Sequence, residues 1–334
     1  MKGGIKKVAQ LAGVSISTVS LTFNQPERVN ENTRFKVLAV AEKLNYHPNR
    51  IARSLVTKKT KTIGLVLSDI TDPFFPEVAR GVEDTLNDFG YSVILCNTDN
   101  NMEKEINYIN LLYEQQVDGI ILAPVGEKLD HINFVINKGK PVVFIDRTID
   151  SISTSYVLSD NIEGGYIATN YLLKNGHRII VCIAGEPMIQ TSEERILGYK
   201  KALTEYNIPI DNSLICNTNF KSDGGYYATK NFLSKKTFPD SFFVVSDIVA
   251  YGVLDALIDN GLNVPNDVSM IGFDDIPFSK YLRVPLTTIR QPRYELGKEA
   301  AKIILDHMAN SEKKIYQKKL PVSLIVRDSV KKIN

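Results

Sequence analysis

Apolar residues at the start of the chain recur at the three- and four-residue spacing of one helical face. Between residues 5 and 12 this face consists of Ile5, Val8, Leu11 and Ala12. Gly13 then interrupts the pattern, and glycine tolerates the positive φ of a tight corner. The pattern therefore predicts a short helix over residues 5–12 that ends in a glycine turn.

Two more helices are predicted after this turn. Ser15 is a good N-cap, and the run 16–24 places Val19 and Phe23 inward while small hydroxyl side chains face out. A third helix opens at the Asn/Thr cluster of residues 30–33. Its apolar positions are Val37, Val40, Ala41 and Leu44. Two short helices joined by a glycine turn make a helix-turn-helix, and the third helix closes a small core against them.

From residue 62 onward, short apolar runs alternate with amphipathic helical segments. Runs that are apolar at nearly every position are typical of strands buried on both faces of a parallel sheet. They cover residues 63–67, 92–96, 119–122, 141–145, 179–183, 242–245 and 268–272. The helical segments include residues 75–89, 102–115, 162–174, 192–206, 223–233 and 248–260. This alternation predicts a doubly wound α/β architecture.

The α/β region spans roughly 270 residues, which exceeds one comfortable sheet, so we expect two lobes. A break between the lobes near residues 159–161 and a return of the chain at residues 287–292 would suit the two-lobed fold that the family resemblance described below implies. A final strand pair around residues 320–327 is expected to make a third crossover. The ligand of such a fold lies between the lobes, at the carboxyl ends of the strands.

The charge of the chain is unevenly distributed. The first 61 residues, called the head here, carry 12 Lys and Arg against 3 Glu, a net charge of +9. The remaining 273 residues carry 28 basic against 35 acidic side chains, a net charge of −7. A small basic module can neutralise phosphates, whereas an acidic body is repelled by the same polymer. The head is therefore predicted to bind nucleic acid; the alternative is that its basic, hydroxyl-bearing surface is merely solvated.

The end of the head carries a more specific signal. Pro48 is followed by roughly two helical turns at residues 49–56 and by a basic linker, and a helix this short is not stable alone in water. Together, the strings KKVAQLAGVSISTVSLTFNQ and LNYHPNRIARSLVTKKTKTIGLVLSDI resemble the N-terminal signature of the lactose-repressor/galactose-repressor family of bacterial transcription regulators. The resemblance covers the whole chain.

This resemblance implies a homodimer on a palindromic, double-stranded operator. Residues 49–56 then form a hinge helix that folds when two subunits meet over the operator centre, and Leu55 matches the apolar wedge that enters the minor groove. The positions that read base edges are matched by Ile16, Ser17 and Leu21. Positions that contact phosphates or position the helix are matched by Thr18, Ser20, Asn24, Asn30, Thr33, Tyr46 and Asn49.

Leu21 departs from the family pattern. Many relatives carry Arg at this position, and Arg is the usual bidentate reader of guanine. Leu offers only apolar contact, for instance to a thymine methyl group. We therefore expect an operator that differs from the common half-site at this base pair.

Polar and aromatic residues gather at the predicted carboxyl ends of the strands. They include Asp69, Asp72, Phe74, Phe75, Asp146, Arg147, Ser246, Asp247, Asp274 and Asp275. Charged groups form short hydrogen bonds to sugar hydroxyls, and aromatic rings cover the apolar face of a sugar. The alternative for Asp72 and Asp247 is a helix N-cap, and for the Phe pair it is a place in the core.

The strings LVLSDITDPFFPEVARG, VVFIDRTID and GFDDIP…LTTIRQP are most similar to ribose repressors and their periplasmic ribose-binding relatives. The resemblance implies an effector site made by Phe74, Phe75, Asp146, Arg147, Arg195, Ser246, Asp274 and Gln291. In it the two rings stack on the sugar, and Arg195 reaches in from the second lobe. Ser246 and Ala123 stand where binding relatives often have Asn, so two hydroxyl contacts are weakened or handed to water.

These residues predict a transcription regulator, most simply a repressor of a sugar-utilisation operon. We expect ribose or a ribose-like pentose to bind between the lobes and to release the operator. The alternatives are another effector, namely a hexose, a sugar acid or a sugar phosphate, and a ligand or protein that acts as a co-repressor. Sugar and operator compete through one equilibrium in either case, so their coupling is reciprocal.

Other classes of protein are disfavoured by the sequence. The phosphate-loop, dinucleotide-binding and nucleophile-elbow motifs of enzymes are missing, and the four His lack metal-ligand spacing, so we expect no enzyme, cofactor or metal. The three Cys lack a pairing motif, which favours thiols in a reducing compartment. A secreted solute-binding protein would need a signal peptide, and residues 1–12 contain no apolar core for one. No apolar run has membrane length, so we expect a cytoplasmic, operator-bound protein.

The predicted domains are a helix-turn-helix domain at residues 1–47, a hinge helix and linker at residues 48–61, and an effector-binding and dimerisation domain at residues 62–330. Within the last, the first lobe comprises residues 62–160 and 290–320, and the second comprises residues 161–289 and 321–330. The fold class is thus an all-α helix-turn-helix head plus two-lobed, periplasmic-binding-protein-like, doubly wound parallel sheets.

Overall fold

The computed structural model describes residues 4–47, 59–126, 128–234, 238–310 and 314–333. The chain divides into two compact units, Met1–Thr60 and Lys61–Asn334. The predicted hinge helix at residues 49–56, with the predicted DNA contacts Asn49 and Leu55, lies outside the described residues.

The described part of the first unit is helical, as predicted. It contains α1 (Ile5–Ala12), α2 (Ile16–Asn24) and α3 (Glu31–Lys43), with a 3-10 turn at Pro26–Arg28. Gly13 has φ 70° between α1 and α2, a backbone conformation that glycine adopts without steric cost. The buried core of these helices consists of Val8, Ala9, Val19, Val37 and Ala41. This packing builds the helix-turn-helix and its supporting helix.

The predicted place of Leu11 on the core-facing side of α1 is wrong. Its side chain is 54% exposed, whereas Ala9 is buried. The face of α1 that meets the core runs through Ile5, Val8, Ala9 and Ala12, which is the i, i+3, i+4, i+7 pattern of a regular helix. Leu11 is six positions after Ile5, which this pattern does not include, so its side chain lies off the core-facing side.

The helix α2 begins at a side-chain cap. Ser15 Oγ accepts a hydrogen bond from the backbone N–H of Thr18 at 3.0 Å. We expect Ser15→Ala to lower the stability of α2 by about 1 kcal/mol, because one N–H of the first turn loses its acceptor. Hydrogen–deuterium exchange of the α2 amides in the full-length protein measures this effect. Ser17→Ala, at an exposed position of the same helix, is the control, and equal exchange rates in both variants would contradict the cap's role.

The second unit consists of strands that alternate with helices. The strands are β1 (Thr62–Leu67), β2 (Ser92–Asn97), β3 (Gly119–Leu122), β4 (Val142–Ile145), β5 (Ser155–Ser159), β6 (Ile180–Ala184), β7 (Ile215–Asn217), β8 (Ser241–Val244), β9 (Ser269–Asp274), β10 (Thr287–Arg290), β11 (Gln317–Leu320) and β12 (Ser323–Ile325). The helices are α4 (Phe74–Asp88), α5 (Met102–Glu114), α6 (Asp130–Asn137), α7 (Asn161–Lys174), α8 (Gln190–Glu205), α9 (Ser222–Leu233), α10 (Asp247–Asp259) and α11 (Arg293–Ala309), with a 3-10 turn at Asn212–Leu214.

These strands form two six-stranded sheets. Their orders are β11-β5-β4-β3-β1-β2 and β12-β10-β9-β8-β6-β7. Every pairing between neighbouring strands is parallel except that of β10 with β12. Each sheet is covered by apolar clusters on both faces, which is the reason for its apolar strands. The two-lobed, doubly wound fold is confirmed.

The chain passes between the two sheets three times. It leaves the first sheet after β5 to form α7 and β6, and it returns after β10, because α11 packs on α4 beside the first sheet. Between β11 and β12 only residues 321 and 322 separate a strand of the first sheet from a strand of the second. Three crossings close together make a hinge at one side of an interlobe cleft.

The expectation that all strands are buried on both faces is wrong for β2. This strand lies at the edge of the first sheet, and its Ile94 and Leu95 side chains are exposed. The sequence pattern also misses β5, β7 and β10, and of these only β7, which is three residues long, lies at a sheet edge. An edge strand needs no continuous apolar run, because fewer helices cover it.

Candidate functional site

A cavity of about 270 Å³ lies between the two sheets, at the carboxyl ends of their strands. It is called the interlobe cavity below. All eight predicted effector-site residues line it, namely Phe74, Phe75, Asp146, Arg147, Arg195, Ser246, Asp274 and Gln291. The structure therefore brings together side chains that are more than 200 positions apart in the sequence.

Two aromatic rings form one wall of the cavity. Phe74 and Phe75 open α4, and their ring centroids lie 5.0 Å apart in an edge-to-face arrangement at 87°. Both side chains are buried, and both also belong to the core of the first lobe. Asp72 Oδ1 accepts a hydrogen bond from the N–H of Phe74 at 2.9 Å and so fixes the start of α4. The rings offer an apolar surface in the wall of a polar site.

Arg195, on α8, is a buried cation of the second lobe. Its Nε donates to Asn161 Oδ1 at 2.9 Å and its Nη1 donates to the carbonyl of Val245 at 2.5 Å. Its guanidinium also lies 3.9 Å from the ring centroid of Phe273 and 3.6 Å from Asp274 Oδ1. Burial lowers the pKa of Arg195 from its usual value, against the opposing effect of Asp274. These contacts hold the guanidinium rigidly at the cavity wall.

Asp274 ends β9 opposite this guanidinium. Its Oδ1 accepts a hydrogen bond from Gln291 Nε2 at 2.7 Å, which links the end of β9 to the crossover after β10. Burial raises the pKa of Asp274, and the neighbouring Arg195 opposes that rise. The backbone of Asp274 has φ 116°, a conformation that L residues rarely adopt. Such strain is held in place only by the surrounding structure and is typical of functional sites.

Asp146 and Arg147 follow β4 in the first lobe. Asp146 is buried with φ 67°, and burial raises its pKa, which Arg147 and Arg195 partly counteract. Arg147 lies with its Nε 3.4 Å from Asp146 Oδ2 and donates from Nη1 to Asn100 Oδ1 at 3.3 Å. The first lobe therefore contributes a carboxylate and a guanidinium to the same cavity as Arg195 and Asp274.

Asp72 has a strongly perturbed carboxyl group at the cavity wall. Burial, followed by the charge of Asp274, raises its pKa to about 7, and Asp146 and Asp69 add to the rise. Like-charged carboxyl groups in one cavity disfavour each other's ionised form. Asp72 was predicted as either a ligand contact or an N-cap; the N-cap of α4 is Pro73, whereas Asp72 precedes it, binds the N–H of Phe74 and lines the cavity.

Two buried polar atoms of the lining make no hydrogen bond within the described residues. They are Ser68 Oγ and Gln291 Oε1. A buried polar group without a partner costs free energy, so each of these atoms favours a ligand that supplies a donor or an acceptor. Hydroxyl groups supply both, because one hydroxyl donates one hydrogen bond and accepts others.

Asp247 has a structural role. It does not line the interlobe cavity; its carboxylate accepts hydrogen bonds from Ser279 Oγ at 2.6 Å, Thr288 Oγ1 at 2.7 Å and the N–H of Ile276 at 3.1 Å. Burial, with the charge of Asp274 next, raises its pKa to about 8. Asp247 thus ties α10 to β10 and to the loop after β9.

Sequence reasoning missed part of the lining. Asn100, Thr191, Asn219, Phe220 and Lys221 all line the cavity from loops or helix starts. Phe220 and its neighbours follow β7, the short strand that the apolar pattern does not show. For Asn219, Phe220 and Lys221, the signal was an aromatic residue between polar ones; no comparable signal marks Asn100 or Thr191.

The head presents most of its predicted DNA contacts at the surface. Ile16 and Ser17 are exposed at the start of α2, and Leu21 is half-buried on the same helix. Thr18, Ser20, Asn24, Thr33 and Tyr46 are half-buried, and Asn30 is exposed. Asn30 also caps α3 by accepting from the N–H of Asn32 at 3.0 Å. The structure thus groups the three predicted base-reading residues on the N-terminal two turns of α2.

Two other kinds of site are not seen in the part of the chain that the structure describes. No group of three or more His, Cys, Asp or Glu could hold a metal ion there. None of the described helices has the length and apolar character needed to span a bilayer.

Comparison with known proteins identifies the two units. Residues 4–49 match the family "Bacterial regulatory proteins, lacI family". Residues 60–328 match "Periplasmic binding proteins and sugar binding domain of LacI family". A curated relative, the HTH-type transcriptional repressor PurR of Vibrio campbellii, is 37% identical over 334 residues, which cover 99% of each chain.

Solved structures agree with this assignment. A LacI family transcriptional regulator from Enterococcus faecium with bound ribose is 36% identical, with a TM-score of 0.76 over 82% of this chain and all of that one. The lac repressor dimer bound to operator and the anti-inducer ONPF is 27% identical, with a TM-score of 0.89 over 99% of this chain and all of that one. These relatives are regulators and repressors of transcription, not enzymes. The chain therefore belongs to the lacI family of bacterial transcription regulators.

Proposed function

We propose that this protein is a transcriptional repressor that binds a palindromic operator as a homodimer and releases it when ribose or a ribose-like pentose binds in the interlobe cavity. The observation that carries the proposal is the convergence of Phe74, Phe75, Asp146, Arg147, Arg195, Ser246, Asp274 and Gln291 on one cavity. We further propose that residues 1–47 bind DNA, residues 48–61 form the hinge and linker, and residues 62–330 bind the effector and form the dimer. The two lobes are residues 62–160 with 290–320, and residues 161–289 with 321–330.

The chemistry of the cavity supports a small sugar. Two phenylalanine rings provide a surface for the apolar face of a sugar ring, and the carboxylates and guanidinium groups around them match its hydroxyls. A volume of about 270 Å³ suits a ligand of this size better than a large one. The ribose bound to the E. faecium relative, which is 36% identical, supports a pentose.

The head supports DNA as the other ligand. Its net charge of +9 and the exposed start of α2 suit a helix that enters a major groove while basic residues contact phosphates. The operator bound to the lac repressor dimer supports the same use of this head. A bacterial regulator with this function works in the cytoplasm, where the chromosome lies.

Exposed apolar side chains support a dimer of the second unit. Ile94 and Leu95 are exposed on the edge strand β2, and Tyr227, Phe278 and Tyr281 are exposed on the second lobe. Apolar surface of this kind is typical of an interface. Two heads related by a two-fold axis read a palindrome, which one head alone cannot do.

Titration of the full-length protein with D-ribose by calorimetry tests the effector directly. The proposal predicts saturable binding of one sugar per chain. Absence of heat with D-ribose, together with saturable binding of a hexose, would overturn the pentose and leave the family assignment intact.

The proposed base contact of Leu21 gives a second test. We expect Leu21→Arg to shift the preference at one base pair of each half-site toward guanine by roughly 1–3 kcal/mol, because Arg donates two hydrogen bonds to the guanine edge. Selection of operator half-sites from random duplex DNA by both proteins measures this shift. Phe35→Arg, at an exposed position of α3, adds the same charge elsewhere in the head. Identical base preferences in wild type and Leu21→Arg would contradict the contact.

A further inference from the structure

The charge of the interlobe cavity bears on which ligands it accepts. Its lining contains five acidic side chains, Asp69, Asp72, Asp146, Glu186 and Asp274, and three basic ones, Arg147, Arg195 and Lys221. An excess of carboxylates in a partly desolvated cavity repels a second anion, since such repulsion is screened less there than in water.

The two guanidinium groups are already occupied by the protein. Arg195 donates to Asn161 and to the Val245 carbonyl, and it faces Asp274 and the Phe273 ring. Arg147 lies against Asp146 and Asn100. Lys221 is exposed at the surface, where solvent weakens its attraction for an anion. An anionic ligand would therefore have to compete with carboxylates for the cations that they already neutralise.

Asp72, which is half-buried, differs from the two buried carboxylates of the lining, Asp146 and Asp274. Asp146 and Asp274 each lie within 4 Å of a guanidinium, whereas no basic side chain forms such a pair with Asp72 in the described ranges. The charged groups that interact with it are Asp69 beside it, Asp146 after β4, Asp274 at the end of β9 and Arg195 on α8. Asp72 is thus a carboxylate whose closest electrostatic partners are mostly carboxylates.

We propose that the interlobe cavity selects an uncharged, hydroxyl-rich sugar against sugar acids and sugar phosphates, and that Asp72 is the residue that enforces this selection. The inference rests on the proposed function of the cavity as a sugar site. An ionised Asp72 accepts strong hydrogen bonds from sugar hydroxyls and repels a carboxylate or phosphate at the same place.

This role of Asp72 also predicts a pH dependence of binding. Burial and the neighbouring carboxylates raise the pKa of Asp72 to about 7. A neutral sugar that donates hydrogen bonds favours the ionised form, so its binding releases a proton below this pH. The affinity should therefore rise between pH 6 and pH 8, by up to about tenfold. The other charged groups that face Asp72 are Asp69, Asp146, Arg195 and Asp274. All four are unchanged in the variants compared below, so a difference between the variants in pH dependence reports on Asp72.

The test is a calorimetric titration of the full-length protein with D-ribose, D-ribonate and D-ribose 5-phosphate at pH 6 and pH 8. Wild type is compared with Asp72→Asn, which keeps an acceptor for the N–H of Phe74, and with Asp88→Asn, which removes an exposed carboxylate at the far end of α4. Asp72→Ser, which also retains an acceptor, covers the case in which Asp72→Asn fails to fold. The two anions differ from ribose in shape as well as in charge. The shape difference is the same for wild type and Asp72→Asn, so the change in relative affinity between the two proteins reports the effect of the Asp72 charge.

We expect wild type and Asp88→Asn to bind ribose at least 100-fold more tightly than either anion. In Asp72→Asn, the preference for ribose over each anion should fall at least tenfold, and the affinity for ribose should no longer depend on pH. If ribose binds but an anion binds equally well, or if Asp72→Asn retains the full ratio, the selection is overturned and the sugar site stands. If wild type binds none of the three, the pentose proposal falls, and this inference falls with it.

Discussion

Asp274→Asn weakens the binding of D-ribose by roughly 30- to 150-fold while the protein stays folded. The substitution keeps the shape of the side chain but removes the negative charge of its carboxylate. That carboxylate faces Arg195, and its Oδ1 accepts a hydrogen bond from Gln291 Nε2. A hydrogen bond to a charged group contributes about 2–3 kcal/mol, and 1.4 kcal/mol corresponds to a tenfold change in affinity. Isothermal titration calorimetry of wild type and variant at one pH measures the loss.

Asp88→Asn is the matched control for this prediction, because it removes a carboxylate that is exposed and lies outside the cavity lining. Its affinity for ribose should equal that of wild type. Urea unfolding of both variants shows whether a loss of binding reflects a loss of fold. An Asp274→Asn protein that binds ribose as tightly as wild type would remove Asp274 from the effector site.

Gly165→Ala should destabilise the second lobe by about 3 kcal/mol and also weaken ligand binding. Gly165 lies where α7 crosses α8, and a Cβ at this position would overlap the carbonyl oxygen of Arg195 and lie 2.9 Å from its carbonyl carbon. The contact on the other side is equally close, since a Cβ on Gly198 would overlap the carbonyl of Ile162. Backbone cannot move aside as a flexible side chain does, so the two helices must separate.

Separation of the helices displaces Arg195, because the overlapped carbonyl belongs to that residue. The loss of ribose affinity in Gly165→Ala should therefore accompany the loss of stability. Gly126→Ala is the control, as its Cβ would meet only the terminal methyl of Met102 at 3.1 Å. Urea unfolding and ribose titration of both variants give the two readouts. Equal stability of Gly165→Ala and wild type would show that α7 and α8 can separate without cost.

The sequence predicts the central strands well and the edges poorly. β1, β3, β4, β6, β8 and β9 carry continuous apolar runs because helices cover both faces of each sheet at its centre. β11, with the sequence QKKL, and β7, with three residues, lie at or near sheet edges and carry no such run. Their place depends on pairing with neighbours that are distant in sequence, which periodicity does not show.

The residues of the candidate site also divide into those that the sequence predicts and those that it does not. Carboxylates that directly follow apolar strands, such as Asp146 and Asp274, could be located because parallel strands end at one edge of a sheet. Asn100 and Phe220 could not, because they come from loops whose path is set by tertiary contacts. The charge balance that singles out Asp72 also required the structure, since its neighbours come from three different strand ends.

The most direct test of the account is the affinity of the full-length protein for its operator with and without D-ribose. The operator is obtained by selection from random palindromic duplexes, and fluorescence anisotropy at fixed salt measures the dissociation constant. The account predicts at least a tenfold weaker operator affinity at saturating ribose, which requires only about 1.4 kcal/mol of differential binding. An operator affinity that stays the same at saturating ribose would contradict the coupling between the interlobe cavity and the head.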